Sequence, residues 1–321
     1  MILFCLACLG GLGLLIWSAD RFVAGAAALA GYMGMPMLLV GMVIIGFGTS
    51  MPEILLSLLA AMEEKGGLAL GNAYGSNIAN IGLILGIAAL FIPIRASRRV
   101  IWRETPVLIA VTLLTILQLA DGQLGRQDSL ILLGSFAALT ALAIRRAMRL
   151  KDDKPALQTS STPDLDRNLA WMNTLGGLML LIMSAKLLVW GAIGIAEVMQ
   201  VSEVLIGLTM VALGTSLPEL ASTLTAIRRA QHEMAIGSII GSNLFNTLVV
   251  VGIAGVISPI TTEPELLQRD LPVMAGFTLA LFAFVYRRRG DGRINRLEAS
   301  ALLAGYTGYI ALLGTAAFAA G

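Results

Sequence analysis

Two glutamates lie deep in apolar sequence. Glu53 closes the string GTSMPE at 48–53, and Glu219 closes GTSLPE at 214–219. A charged carboxylate in the middle of a hydrocarbon span costs about 2.5–3.5 kcal/mol on insertion scales. Both carboxylates therefore need a partner, and their duplication with the same neighbours points to a bound cation rather than a structural ion pair. Pro52 and Pro218 each remove a backbone donor, and Gly48 and Gly214 loosen the same turn. Each string is expected to break its helix and free carbonyl oxygens, with Gly46, Phe47, Ala212 and Leu213 as the candidate donors. Irregular backbone at membrane depth is tolerated where it lines a cavity or an ion site. Thr49, Ser50, Thr215 and Ser216 add hydroxyl oxygens about one turn from the glutamates.

A second pair of strings supplies further oxygen. GNAYGSNIAN at 71–80 returns as GSIIGSNLFN at 237–246. Ser76 and Asn80 lie four apart and share a helix face, as do Ser242 and Asn246. Asn77 and Asn243 point elsewhere and are expected to hydrogen-bond the broken helices. Gly71, Gly75, Gly237 and Gly241 form small-xxx-small pairs that permit close helix approach. The assembled donor set is oxygen only, with no thiolate or imidazole. Such a set suits a hard cation, Ca²⁺ or Na⁺, and disfavours zinc, copper and iron. Magnesium fits less well because it dehydrates reluctantly.

The elements that must position these residues are transmembrane helices. The 321-residue chain is 57% hydrophobic and only 13% charged, about half the ~25% charge of soluble domains. Ten apolar segments are expected near 2–30, 36–62, 67–92, 104–120, 128–148, 170–199, 203–228, 234–258, 270–287 and 296–319. The reading is an all-α polytopic membrane protein. Arg95, Arg98, Arg99 and Arg103 follow segment three, and Arg145, Arg146, Arg149, Lys151, Lys154 and Arg167 follow segment five. Arg228 and Arg229 follow segment seven, and Arg287, Arg288, Arg289, Arg293 and Arg296 follow segment nine. The opposite loops hold only Lys65, Arg126 and Arg269. The positive-inside rule makes the basic side cytoplasmic and puts both termini outside, in a cell inner or plasma membrane.

The strings recur at one offset, 166 residues, and so do Ser18-Ala19 as Ser184-Ala185 and Gly25-Ala26 as Gly191-Ala192. The chain divides into a first repeat at 1–150, a polar cytoplasmic linker at 151–167 and a second repeat at 168–321. Five helices per repeat is an odd number, so the second copy enters the membrane from the other side. This predicts two inverted five-helix repeats, with helices two and seven broken and the site near the midplane.

Charge balance favours exchange over conduction. Two carboxylates neutralise one Ca²⁺, whereas an empty site would occlude two bare negative charges. Ca²⁺ and Na⁺ have similar radii and can share one flexible cage; protons are the competing coupling ion. An intramembrane enzyme would need a nucleophile with its base, or imidazole ligands, within the spans. The single histidine, His232, falls in a short basic loop.

Paired GTSxPE strings, each followed by GSNxxN, resemble the alpha repeats of the calcium/cation antiporter superfamily, sodium/calcium exchanger branch. The resemblance covers both repeats. It implies a central Ca²⁺ site flanked by Na⁺ sites, with Glu53 and Glu219 as shared ligands. Thr49, Ser50, Ser76, Asn80, Thr215, Ser216, Ser242 and Asn246 would complete the sites. It also implies three Na⁺ exchanged per Ca²⁺, and helices one and six sliding as a gate. Potassium-dependent relatives carry Asp where this chain has Asn246, which argues against potassium co-transport. The proton-coupled branch shows a GNxxE pattern that is absent here, so a proton/calcium antiporter is the second reading. No resident cofactor and no nucleic acid enter either reading. The expected partners are Ca²⁺, Na⁺ and the bilayer, and the expected working unit is a monomer.

Other residues carry weaker signals. Cys5 and Cys8 read as small core residues. Asp20 and Lys186 occupy equivalent positions and are candidates to pair with one another, against independent snorkelling or a local partner such as Arg21.

Overall fold

The computed structural model describes residues 1–152, 165–199, 212–286 and 291–320. Helices dominate. α1 spans Ile2–Met33, α2 Met37–Thr49, α3 Met51–Met62, α4 Gly66–Phe91, α5 Val100–Gln118 and α6 Arg126–Asp152. After the linker come α7 (Arg167–Val198), α8 (Ala212–Thr215), α9 (Leu217–Arg228), α10 (His232–Ile257), α11 (Leu266–Val285) and α12 (Arg296–Ala320). Among the described residues, seven helices are long and apolar enough to cross a membrane, or eight if the bent pair α2–α3 is one span. Leu9, Leu117 and Leu297 are among many large apolar side chains left exposed, while Thr49, Asn77, Asn80 and Asn243 are buried. Apolar outside and polar inside is the distribution that lipid, not water, selects. The linker residues 153–164, the start of segment seven and Arg287–Arg289 lie outside the described residues.

Segments four and nine start earlier than expected. Both open with a π-helical turn, Val100–Glu104 and Leu266–Asp270. These turns carry charges, which is why hydropathy alone places the boundaries later. The charges are paired: Glu104 with Arg99 at 3.4 Å and Arg103 at 3.7 Å, and Asp270 with Arg269 at 2.7 Å. α6 likewise continues to Asp152 through its basic residues.

Contacts between the halves recur under the 166-residue offset. A Cβ added to Gly11 would stand 2.8 Å from the Leu188 nitrogen, and one on Gly177 would stand 2.7 Å from the Phe22 nitrogen. Gly25 abuts Thr174, and Gly191 abuts Cys8. These four contacts run α1 antiparallel to α7, with backbones close enough that only glycine fits. α4 and α10 are also antiparallel. Gly66, at the start of α4, packs on Ile260 just beyond the end of α10. The strands follow the same logic. β1 (Ile94–Ala96) pairs antiparallel with β4 (Gly292–Ile294), and β2 (Gln123–Leu124) pairs antiparallel with β3 (Ile260–Thr261). β1 and β3 start at repeat-equivalent positions, yet each pairs with a strand of the other half.

Glu64 and Ala230, also repeat-equivalent, both take left-handed backbone with φ of 60° and 58°. Each caps the preceding helix, with Lys65 N–H bonded to the Ala60 carbonyl and Gln231 N–H to the Ala226 carbonyl, both at 2.8 Å. This tight reversal makes His232 the first residue of α10, half-buried, rather than a loop residue. Cys5 faces outward instead of joining the core, because the first turns of α1 are only partly covered.

Candidate cation site

The two GTSxPE strings form helix junctions, as the proline and glycine positions require. α2 and α3 meet at Ser50 with a 48° bend. The break is a single residue, not an unwound stretch. Pro52 falls in the first turn of α3, where its missing N–H costs nothing. Gly46 is correspondingly no orphan carbonyl: it accepts the Ser50 N–H at 3.1 Å and the Ser242 hydroxyl at 3.3 Å. Phe47 lies in the same final turn of α2 with its ring exposed. Ala212 and Leu213 lie in the short helix α8, whose junction with α9 is at Ser216.

Both glutamates lie in the first turn of their second helix, Glu53 on α3 and Glu219 on α9, and are 1% and 2% exposed. The halves interlock here. The Ser50 hydroxyl donates to Glu219 Oε1 at 3.3 Å. The Thr49 hydroxyl stands between the Ile45 carbonyl, at 3.0 Å, and the Glu219 carboxylate. In reciprocal fashion the Thr215 hydroxyl bonds the Glu53 carboxylate. The two carboxylates are close enough to repel each other.

Asn80 and Asn246 each open a π-helical turn, Asn80–Leu85 in α4 and Asn246–Val250 in α10. The wide turn re-aims a side chain that a regular helix would present elsewhere, a feature common at functional sites. The Asn80 turn packs on α9, which carries Glu219, and the Asn246 turn packs on α3, which carries Glu53. Asn80 Nδ2 donates to Asn243 Oδ1 at 3.0 Å, which leaves the Asn80 carbonyl oxygen free. Asn243 is thus a support for Asn80 and does not hold a broken helix. Asn77 does not hold one either: its Nδ2 donates to the Thr247 hydroxyl on α10 at 2.8 Å. Thr247 carries no motif signal of its own, because its role is set by a contact across the two halves. Asn72 is a further residue the motifs did not single out; its Nδ2 bonds the Glu53 carbonyl at 3.1 Å and Ser57 at 2.9 Å.

The remaining residues are buried in the same elements. Ser242 is spent on the Gly46 carbonyl, which ties α10 to α2. Gly237 and Gly241 lie directly against Leu38 and Met42 of α2. Nothing among the described residues comes within 4 Å of a Cβ placed on Gly71 or Gly75. Their repeat-related partners, residues 204 and 208, lie outside the described residues. Ser76 is buried on α4 one turn before Asn80. Asp20 pairs with neither Lys186 nor Arg21: it takes Arg229 at 2.6 Å, while Arg21 stacks on Trp17.

One property unites the cluster. Glu53 Oε2, Glu219 Oε2, Asn80 Oδ1, Asn246 Oδ1 and the Ser216 hydroxyl are buried without a protein partner among the described residues. Each lone buried acceptor costs about 1–3 kcal/mol, and more for a carboxylate. They sit on helices that touch one another across the two halves, and oxygen acceptors of this kind are the donor type that hard cations take. No group of three or more His, Cys, Asp or Glu converges among the described residues, so any coordination must draw on hydroxyl and amide oxygen beside two carboxylates.

Comparison with known proteins adds an independent line. A family model described as Sodium/calcium exchanger protein matches residues 3–145 and 169–315. The chain is 42% identical over 306 residues to the putative antiporter CaxA of Alkalimonas amylolytica, covering 94% of this chain and 96% of that one. It is 28% identical over 341 residues to the sodium/calcium exchanger MaX1 of Methanosarcina acetivorans, covering 94% and 96%. A solved structure of the sodium-calcium exchanger NCX_Mj, soaked with Na⁺ and Ca²⁺, superposes with a TM-score of 0.82 at 29% identity, covering 97% of this chain and 98% of the other.

Proposed function

This chain belongs to the sodium/calcium exchanger protein family, and from that premise we propose that it exchanges Ca²⁺ for Na⁺ at the oxygen cluster around Glu53 and Glu219. Membership makes it a multi-pass membrane antiporter for cations including Ca²⁺, not an enzyme. The finer reading concerns the site, the coupling ion and the topology.

The observation that carries the site is the set of orphaned buried oxygens on Glu53, Glu219, Asn80, Asn246 and Ser216. Two carboxylates match the charge of one Ca²⁺, and neutral oxygens fill out the six to eight ligands that Ca²⁺ takes. Thr49, Ser50 and Thr215 hold the carboxylates in place and can turn toward an ion. Ser76 and Ser242 lie one turn before the asparagines and complete the wall, as does the backbone at Phe47, Ala212 and Leu213. The cage suits Na⁺ as well, since it has no rigid octahedral demand. With both ions removed, the carboxylates repel one another, so a return across the membrane requires a replacement cation.

The topology proposed is ten spans in two inverted repeats, 1–150 and 168–321, joined by the linker at 151–167. It is supported by the antiparallel pairing of α1 with α7 and of α4 with α10, and by the exchanged strands. The basic loops assign the linker to the cytoplasm and both termini to the outside. A monomer contains both halves of the site.

The test separates coupling ions. Purified protein in liposomes should take up Ca²⁺ when a Na⁺ gradient is imposed at constant pH. Equal uptake with no Na⁺ on either side, together with a response to a pH gradient, would transfer the reading to proton/calcium antiport.

A further inference from the structure

The halves are equivalent in sequence but not in packing. α1 lies along α9, and its stretch from Phe22 to Ala30 is buried throughout. The repeat-related packing of α7 along α3 is all but missing among the described residues. Side chains record the difference. Thr225 on α9 is 9% exposed, while its equivalent Leu59 on α3 is 57% exposed. Ala24 on α1 is 6% exposed, and its equivalent Trp190 on α7 is 48% exposed. One face is therefore closed by α1, and among the described residues the other is left open beside α7.

An ion pair marks the closed face. Arg229, just past the end of α9, donates to Asp20 Oδ1 of α1 through Nε at 2.9 Å and Nη2 at 2.6 Å. The 166-residue offset carries Asp20 to Lys186 and carries Arg229 back to Glu63. The equivalent positions are again oppositely charged, with the signs exchanged between the helix and the loop. Snorkelling charges would need no such complementarity. At the open face the second pair is not made: Glu63 holds its neighbour Lys65 at 2.7 Å, and Lys186 is exposed with no partner among the described residues.

We propose that Asp20–Arg229 and Lys186–Glu63 are alternating latches of the transport cycle, each made when its own face is closed and broken when that face opens. The proposal rests on the exchange reading above, which requires two access states. α1 and α7 meet along a glycine-lined seam, so they can move as one body. A shift that carries α7 onto α3 brings Lys186 to Glu63, which must release Lys65. The same shift draws Asp20 from Arg229. Both members of the formed pair are partly exposed, 51% for Asp20 and 32% for Arg229. Each latch therefore biases the two states by about two- to fivefold rather than locking either. Charge exchange between the positions leaves the two latches of similar strength, which keeps the states balanced.

The test uses full-length protein in membranes with Cys5→Ser and Cys8→Ser as background. Asp20→Cys with Arg229→Cys forms one reporter pair, and Glu63→Cys with Lys186→Cys the other. A short bis-methanethiosulfonate should bridge each pair, stop exchange, and release it on reduction. With all four cysteines present, a molecule bridged at one pair should not bridge at the other. Adding Arg229→Gln to the Glu63→Cys, Lys186→Cys protein should speed its bridging about two- to fivefold. Failure of the Glu63–Lys186 pair to bridge where Asp20–Arg229 does, failure of both, or double bridging in one molecule overturns the latches. Ca²⁺ uptake by the background protein is measured alongside. Loss of sodium dependence there condemns the exchange reading, whereas bridging reports on the latches without any ion.

Discussion

Glu53 and Glu219 each turn one carboxylate oxygen to a hydroxyl of the opposite half and leave the other bare. That division explains why threonine and serine recur at fixed spacing before each glutamate. A hydroxyl both orients the carboxylate and can offer its own oxygen to an ion. Ser50→Ala removes the donor to Glu219 without changing charge, so apparent Ca²⁺ affinity should fall about tenfold, the worth of one hydrogen bond to a charged group. Concentration dependence of uptake measures it, and an unchanged half-saturation point contradicts the role. The glutamates, hydroxyls and asparagines were legible as a donor set because they stand out against apolar sequence and occur twice. Asn72 and Thr247 were not, since each acts by hydrogen-bonding a residue well along the chain, and Asn243 was legible as a hydrogen-bonding residue but not as the partner of Asn80. Arg229 as the partner of Asp20 was hidden for the same reason: nothing local distinguishes it from any other basic loop residue.

Helices and their approximate limits were legible from apolar length, and the repeat from its constant offset. The π-helical turns were not, because a wide turn depends on tertiary packing and not on local propensity. Nor was the mildness of the helix break foreseeable. Proline two residues past the bend can open a new helix as readily as it ends an old one. The α1–α7 seam makes a sharp element-scale prediction. Gly177 meets Phe22 backbone at 2.7 Å, whereas its neighbour Gly176 has nothing within 4 Å. Gly177→Ala should destabilise the detergent-solubilised protein by about 1–3 kcal/mol through overpacking, and Gly176→Ala should leave it unchanged. Thermal unfolding reads both. Equal effects at the two positions would mean that the seam is not close-packed.

At the scale of the molecule, hydrogen bonds from Ser50 to Glu219 and from Asn80 to Asn243 join the two halves around the glutamates. Inverted orientation predicts that single cysteines placed near residues 1 and 320, in a background with Cys5 and Cys8 replaced, react with an impermeant thiol reagent from outside intact cells. A cysteine at 160 in the linker should react only after permeabilisation. Labelling of all three from the same side would break the ten-span reading. The central claim, that the paired glutamates bind the exchanged ions, is tested most directly by Na⁺-gradient-driven Ca²⁺ uptake in proteoliposomes carrying the parent, Glu53→Gln or Glu219→Gln. The account predicts robust uptake by the parent and loss of at least about 90% in each variant, the effect of removing one charged ligand worth 1.4 kcal/mol or more. Parent-like uptake in either variant, with equal protein incorporated, would contradict it.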